Sequence, residues 1–310
     1  MTLNQLPRGK SVSRGENERN QPPAGKPISR GEVGQGRLQG FKPMQRRNGE
    51  MEEAVNVLQG LLLALSSFSK IPVPQIEWRE ENMRYMMCFF PVVGLAIGLV
   101  IGLWVWLSQA IGFGPTLFGA GLALLPIAVS GGIHMDGFCD VVDAQSSHAE
   151  PTRKREILKD PHSGAFAAIA VAAYIVAYAA VASELVAGWR IVVLLAGMHI
   201  ASRCMSGIAT VMFPTSSSRG MLSMFHESAR GKRILIVLVV ELAVCGVVMT
   251  ATCVPAIFVL LVGLVCLGLL YPFAQSQFGG MSGDLAGFFL QVAELAMVIA
   301  LVVISKVVVL

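Results

Sequence analysis

Seven stretches of roughly 20 apolar residues constrain this chain more than any other feature. They cover about 86–109, 115–133, 164–187, 190–212, 233–252, 254–273 and 285–305. A run of about 20 apolar residues is long enough to cross a bilayer as a helix, so each stretch predicts a transmembrane span. A shorter stretch, 54–69, ends at Lys70 and predicts an interfacial or re-entrant helix. The predicted fold is therefore an all-α, polytopic membrane helix bundle.

The composition supports a lipid bilayer as the surroundings of this bundle. Only 14% of the 310 residues are charged, whereas a soluble domain usually carries about 25%. The charged side chains are too few to cover a soluble body of this size, which argues against secreted, fibrous and nucleic-acid-binding classes. Six scattered cysteines form no C-x-x-C pair and are expected to be small buried apolar residues.

The first 50 residues differ from the rest in charge and composition. They carry ten Lys or Arg and four Glu, a net charge of +6, whereas residues 51–310 have a net charge of −2. The segment is rich in Gly, Pro and Arg, and it contains no apolar run that could act as a signal sequence. We expect 1–50 to be a disordered basic extension that is not needed for function, and 51–310 to be the integral membrane domain.

The distribution of basic residues predicts the orientation of the bundle. The connections near 150 and near 225 each carry four Lys or Arg residues, whereas the loops near 112 and 253 carry no charge. Cytoplasmic loops of membrane proteins carry the excess of Lys and Arg. The pattern therefore predicts a cytoplasmic N-terminus and an external C-terminus.

Three carboxylates at the end of the second span indicate a metal site. Asp136, Asp140 and Asp143 stand at i, i+4 and i+7, which places them on one face of a helix. Like charges that close repel each other, and a hard divalent cation bound through oxygen ligands would offset the repulsion. The alternative is an acidic loop in solvent. The position at a membrane boundary and the adjoining His134 argue against that alternative.

Basic groups follow the carboxylates closely and suit a substrate that contains phosphates. Arg155, Lys159 and His162 lie in the same connection, where a metal and cations together could neutralise phosphate oxygens. Taken alone, this run would be an ordinary basic cytoplasmic loop. Asp284, in a glycine-rich turn before the last span, is predicted to lie on the same membrane face.

Arg203 lies inside the fourth span, one helical turn after His199. It is about nine residues from the predicted cytoplasmic end, or on the order of 14 Å deep at 1.5 Å per residue. An arginine at that depth costs at least about 2.5–3.5 kcal/mol unless it is paired or faces water. Two interpretations remain open: a structural ion pair with Glu241 or Glu294, or a contact with a substrate phosphate.

From residue 51 onwards, the chain resembles the cobalamin synthase family, the adenosylcobinamide-GDP ribazoletransferases. Two motifs in tandem carry the resemblance: His134-x-Asp136-Gly137-x-x-Asp140-x-x-Asp143-Ala144 and Lys159-Asp160-Pro-His162-x-Gly164-Ala165-Phe166. Ser202-Arg203 and Gly280-x-x-Gly283-Asp284-x-x-Gly287 match less specific patterns, and Gln145-Ser-Ser147 departs from the family's glycine-rich turn.

The resemblance implies a specific phosphotransfer. The hydroxyl of α-ribazole, or of its 5′-phosphate, attacks the phosphate next to the aminopropanol arm of adenosylcobinamide-GDP. GMP leaves, and adenosylcobalamin or its 5′-phosphate forms. Such catalysis consists mostly of positioning and charge stabilisation. A homo-oligomer is left open.

The resemblance also implies roles for the motif residues. Asp136, Asp140 and Asp143 would hold Mg²⁺. The phosphate-binding set would be Arg155, Lys159, His162, Arg203 and Asp284. The base that accepts the proton of the attacking hydroxyl would be His134, or alternatively a metal-bound aspartate.

Two other classes of protein compete with this interpretation. A membrane phosphotransferase of the CDP-alcohol type would need Ala-Arg four residues after its Asp-Gly, where this chain has Cys139-Asp140; an aspartate-rich prenyltransferase belongs to the same class. A divalent-cation transporter would place its acidic ligands near the bilayer midplane, whereas these aspartates are predicted at the cytoplasmic edge.

Overall fold

A computed structural model describes residues 42–160, 162–216 and 229–308. The chain divides into two compact units, Met1–Arg46 and Arg47–Leu310, and the second contains the bundle. Most of the predicted disordered extension, 1–41, lies outside the described residues. Its last nine residues, 42–50, belong to a helix. The predicted division at residue 50 stays a prediction.

The described part of the chain is helical, with no β-strand, which confirms the predicted all-α class. An isolated bridge pairs Thr215 with Met281, and two short 3₁₀ turns occur at Met87–Phe89 and Val254–Ala256. The helices are α1 (Lys42–Phe68), α2 (Glu80–Met86), α3 (Phe90–Ile111), α4 (Pro115–Ser130), α5 (Ile133–Ser146), α6 (Pro151–Ile157), α7 (Ala165–Ala182), α8 (Trp189–Met212), α9 (Ala229–Thr252), α10 (Ile257–Phe278) and α11 (Gly283–Val307).

Among the described residues, six helical segments are long and apolar enough to cross a membrane. They are Glu80–Ile111, Ala165–Ala182, Trp189–Met212, Gly231–Thr252, Val254–Phe278 and Gly283–Val307. Helices α4 and α5 pass the same test only together, and a bend of 97° separates them. The described residues therefore contain six such helices, or seven if α4 and α5 together form one broken span, which agrees with the predicted count of about seven.

The short apolar stretch at 54–69 forms the second half of α1, which is not among the described spans. Helix α1 packs on α2, because Gly60 lets the backbone approach Tyr85 closely. The Tyr85 hydroxyl donates a hydrogen bond to Glu53 (3.0 Å), and the Asn82 amide donates one to Gln59 (3.2 Å). The predicted helix is therefore present, and its interfacial or re-entrant placement stays a prediction.

Helix α8 is the most buried span and contacts α3, α9, α10 and α11. Gly94 and Gly98 of α3 lie directly against α8, where a Cβ atom at either position would collide with the His199 carbonyl or with Ala196. Large apolar side chains such as Leu99, Leu103 and Val247 face outward instead. Such an apolar exterior belongs in lipid, where every backbone group must be paired inside the helix. The protein is a multi-pass membrane protein.

One end of the bundle collects the connections that contain the predicted site. The Met281 N–H donates to the Pro214 carbonyl (2.7 Å), and the Ser216 N–H donates to the Met281 carbonyl (3.0 Å). At the opposite end of the bundle, the Lys306 ammonium forms an ion pair with the Glu184 carboxylate (2.8 Å). Arg155 donates to the Phe278 carbonyl (3.1 Å), so the segments near 150 and near 280 share one end, as predicted. Most of the segment near 225 lies outside the described residues.

Candidate active site

A pair of glycines turns the chain from α4 into the helix that carries the aspartates. Gly131 and Gly132 have φ angles of 65° and 80°, in the left-handed region that favours glycine. The stem of Lys70 packs on Gly131, and the Lys70 N–H donates to the Val129 carbonyl (2.8 Å). Helix α5 then runs from Ile133 to Ser146, so the predicted helical spacing of the three aspartates is confirmed.

Two further glycines allow α5 and α11 to cross almost backbone to backbone. A Cβ atom on Gly137 would lie 2.7 Å from the Asp284 carbonyl oxygen, and one on Gly287 would lie 2.9 Å from that of His134. Any larger residue would push the helices apart. The crossing brings the first turns of both helices together, and with them Asp136 and Asp284.

Four carboxylates lie near this crossing. Asp140 lies within electrostatic range of Asp136, Asp143 and Asp284, and Asp284 within range of Asp136. The side chain of Asp136 is exposed, and the other three are half-buried. The sequence predicted Asp284 to share a membrane face with the triplet, and the structure places it in the same cluster.

The carboxylate oxygens of this cluster suit Mg²⁺, although the described side chains do not form a complete coordination site by themselves. Carboxylate oxygens are the ligands that Mg²⁺ takes in proteins, and it commonly binds one or two of them while keeping waters and substrate phosphates. Within the described ranges, no three His, Cys, Asp or Glu side chains are close enough to hold a metal ion by themselves. The arrangement fits a cation that completes its shell with water and substrate.

Asp143 differs from its neighbours because its carboxylate caps the start of α7. Both its oxygens accept backbone hydrogen bonds, one from the Gly164 N–H and the other from the Ala167 N–H (2.9 Å). Such a cap satisfies N–H groups that have no partner in the first turn of a helix. A Cβ atom on Gly164 would lie 2.8 Å from the carboxylate, which explains the glycine in the second motif. Its role as a metal ligand stays a prediction.

His134 lies at the inner end of the cluster. Its side chain is 4% exposed, and its Nε2 atom has no hydrogen-bond partner among the described residues. The rings of Phe90 and Phe68 lie 5.7 Å and 6.4 Å from the imidazole. A buried imidazole nitrogen without a partner is a candidate for exchanging a proton with a substrate.

A cavity of about 260 Å³ opens beside His134. Its polar lining comes from His134, Asp136, Asp284, Ser206 and Thr210. The remaining lining is Phe68, Met87, Phe90, Ile133, Gly137, Gly283, Ala286, Gly287 and Leu290. The cavity therefore joins the acidic cluster to an apolar interior between α1, α3, α5, α8 and α11.

The basic residues of the α6–α7 region fall into two groups. Lys154 is buried and donates to Gln145 (2.7 Å) and Gln277 (2.6 Å), and Arg155 donates to the Phe278 carbonyl (3.1 Å). Both residues hold α6 against the end of α10. Lys159 and His162 are exposed instead. The imidazole of His162 lies 2.8 Å from Asp160 and holds the pKa of that carboxyl below its usual range. The predicted phosphate contacts of Arg155, Lys159 and His162 stay predictions.

Arg203 pairs with Glu294 inside the bundle, between α8 and α11. It is 1% exposed and also donates to the His199 carbonyl (3.1 Å) and the Ser202 hydroxyl (2.8 Å). The second oxygen of Glu294 lies 3.2 Å from His199 Nδ1. Of the two predicted partners, Glu294 is the one observed, whereas Glu241 lines a different cavity between α3, α8 and α9. A phosphate contact of Arg203 stays a prediction.

Sequence reasoning missed the two α8 hydroxyls and the apolar side chains of the cavity. Ser206 and Thr210 continue a polar stripe from Ser202 along α8 at intervals of four residues, which could have indicated an internal site. Phe68, Met87 and Leu290 give no such signal, because an apolar side chain in an apolar span looks the same whether it faces lipid, core or ligand.

Comparison with known proteins identifies the family to which the chain belongs. The chain matches the cobalamin-5-phosphate synthase family over residues 60–302. A Lachnoclostridium phytofermentans protein named adenosylcobinamide-GDP ribazoletransferase is 38% identical over 81% of this chain and 96% of its own length. Proteins of the same name from Clostridium botulinum and Mesorhizobium japonicum are 33% and 29% identical, over 77% and 78% of this chain and 95% and 92% of their own lengths. No solved structure matches the chain. The chain therefore belongs to the cobalamin-5-phosphate synthase family.

Proposed function

We propose that this protein is an adenosylcobinamide-GDP ribazoletransferase that acts in a late step of cobalamin synthesis. It joins adenosylcobinamide-GDP to α-ribazole or its 5′-phosphate, and GMP is released. The family match over 60–302 carries this proposal. The clustered carboxylates, the adjoining cavity and the His134 Nε2 atom, which has no partner in the described part of the chain, support it. The site faces the cytoplasm of a bacterial inner membrane, in agreement with the basic connections at that end of the bundle.

The proposed cofactor is Mg²⁺. Asp136 and Asp140 would hold it, with Asp143 and Asp284 as the neighbouring carboxylates. When bound, the cation would offset the charge of the diphosphate and of the leaving phosphate. Carboxylate oxygens are ligands that Mg²⁺ prefers, and substrate phosphates would complete the coordination shell of the ion.

The residues of the chain would then position and activate the attacking hydroxyl. The Nε2 atom of His134 would accept the proton of the ribazole hydroxyl as its oxygen bonds to the phosphate next to the aminopropanol arm. The bond from that phosphorus to the GMP oxygen breaks, and GMP leaves with both electrons of that bond. Lys159, exposed close to the cluster in sequence, would neutralise the departing phosphate.

The test is product formation by purified protein in liposomes. With adenosylcobinamide-GDP, α-ribazole and Mg²⁺, we expect GMP and adenosylcobalamin in equal amounts, both dependent on α-ribazole. Asp140→Asn should abolish the reaction, whereas Glu150→Gln, at an exposed position of the α5–α6 connection, should not. A well-folded protein that yields neither product, or that releases GMP without α-ribazole, would contradict the proposal.

A further inference from the structure

The cavity beside His134 has a chemistry that phosphate binding does not explain. Two carboxylates and one imidazole lie along it, but most of its wall is apolar, with Phe68, Phe90 and Leu290 prominent. A diphosphate would bring negative charge and many hydrogen-bond acceptors into a space that has few donors. The apolar part therefore suits a different portion of the two substrates.

The size of the cavity selects between the substrates. Its volume is about 260 Å³, which is comparable with one nucleoside-sized group. A corrin ring that carries an adenosyl group and a nucleotide is several times larger. Either α-ribazole or the guanosine of the other substrate could enter, but the corrin itself cannot.

Hydrogen bonding decides between these two nucleosides. The Thr210 hydroxyl already donates to the Ser206 carbonyl (2.9 Å), and the Ser206 hydroxyl points to the Ala286 carbonyl (3.5 Å). In the part of the cavity lined by Phe68, Phe90 and Leu290, the donors and acceptors on the edge of guanine would have no partners, because Asp136, Asp284 and His134 lie on the remaining wall. A methyl-substituted benzimidazole, the base of α-ribazole, presents an apolar edge instead.

The aromatic side chains offer a matching surface for a flat ring. Phe68 and Phe90 lie with their ring centres 4.5 Å apart, and both flank the imidazole of His134. Aromatic rings at such spacings favour stacked and edge-to-face contacts with a further ring. The carboxylates of Asp136 and Asp284 lie on the same lining, where the ribose hydroxyls would meet them.

We propose that this cavity binds the benzimidazole base of α-ribazole, and that Ser206 and Thr210 of α8 limit the size of the base that it accepts. The inference rests on the proposed ribazoletransferase activity. With the base in the cavity, the attacking hydroxyl faces the acidic cluster and His134. Both α8 residues are buried, so a larger side chain at either would project into the space that the base needs.

The test compares two ribosides that differ only in the methyl groups of the base. For Thr210→Ser, wild type, Thr210→Val and Thr210→Ile, we expect the KM for dimethylbenzimidazole riboside to rise with side-chain size, by at least tenfold at Ile. The KM for unsubstituted benzimidazole riboside should rise less, and that for adenosylcobinamide-GDP should stay within twofold. Thr250→Ile, the same change on α9 with a hydroxyl bonded inside its own helix, should alter none of these values.

The outcomes of this test distinguish a wrong cavity assignment from a wrong proposed activity. The cavity assignment would be overturned if the ratio of the two riboside KM values stayed constant across the series. It would also be overturned if the KM for adenosylcobinamide-GDP rose instead, and in both cases the reaction itself would still be observed. If Thr210→Ile does not fold, the Ser and Val variants still give the trend. Absence of product from the wild-type protein with every riboside would contradict the proposed function rather than the cavity assignment.

Discussion

The four carboxylates of the site have different surroundings in the structure. Asp136 is exposed beside the cavity, Asp140 lies among three other acids, Asp284 begins α11, and Asp143 accepts two hydrogen bonds from α7. An exposed or clustered carboxylate is available to a cation. A carboxylate that caps a helix also contributes to stability.

The first prediction concerns Asp136 and Asp140. Asparagine at either position removes one charge from the cluster, and we expect turnover to fall by at least about a hundredfold, the scale of losing a preorganised electrostatic group. Protein level should not fall, because the change relieves repulsion. Measured rates of GMP release decide this, with Glu150→Gln as the control. Full Mg²⁺-dependent activity in both variants would mean that the cluster is an ordinary acidic surface.

The second prediction separates Asp143 from this pair. Asp143→Ala removes the cap of α7 and should lower the free energy of unfolding by about 1 kcal/mol. Asp136→Ala should not lower it. Thermal unfolding of the detergent-solubilised variants provides the comparison. Equal melting temperatures for the two alanine variants would show that the capping hydrogen bonds contribute little.

The third prediction concerns the buried pair of Arg203 and Glu294. Removing one partner leaves an unpaired charge inside the bundle, so Glu294→Gln or Arg203→Met alone should destabilise the protein by about 3–5 kcal/mol. The double variant Arg203→Met with Glu294→Leu should recover much of that loss. If the double variant is stable but its KM for adenosylcobinamide-GDP rises at least tenfold, Arg203 also contacts the substrate.

At the scale of elements, the crossing of α5 and α11 is the feature on which the site depends. The fourth prediction is that Gly137→Ala lowers turnover at least tenfold, because its Cβ atom would displace the backbone of Asp284. Gly268→Ala, in a helical position with open space around it, is the matched control. Unchanged activity in Gly137→Ala would show that the two helices can separate without cost to the site.

The sequence predicted the helices better than their arrangement. Apolar length and the spacing of the aspartates are local properties, so the spans and α5 were predicted from them. The bend of 97° between α4 and α5 arises at two adjacent glycines, but the contact of Gly137 with Asp284 depends on residues far apart in the chain. For the same reason, the capping role of Asp143 could not be distinguished from a metal-binding role, and the choice of Glu294 over Glu241 could not be made.

For the whole molecule, the fifth prediction is the orientation in the membrane. The ends of the bundle are distinct, and the basic residues collect at the end that carries the acidic cluster. In a chain whose six cysteines are replaced by alanine, Thr152→Cys should be protected from external reagents and Thr116→Cys should be labelled by them. Both positions are exposed in the structure. The reverse pattern would place the site outside the cell and contradict the proposed location.

The pairing of α8 with α11 has a consequence for biosynthesis. Helix α8 enters the membrane while α11 is still to be translated. Arg203 therefore stays without Glu294 while about 90 further residues are synthesised. An unpaired arginine at that depth is held in the bilayer at a cost of about 2.5–3.5 kcal/mol or more. The nascent bundle is therefore expected to remain loose, and open to chaperones and membrane proteases, until its last helix arrives. A chain that stops before residue 283 would lack Glu294, and we expect it to be less stable than the full bundle because Arg203 stays unpaired.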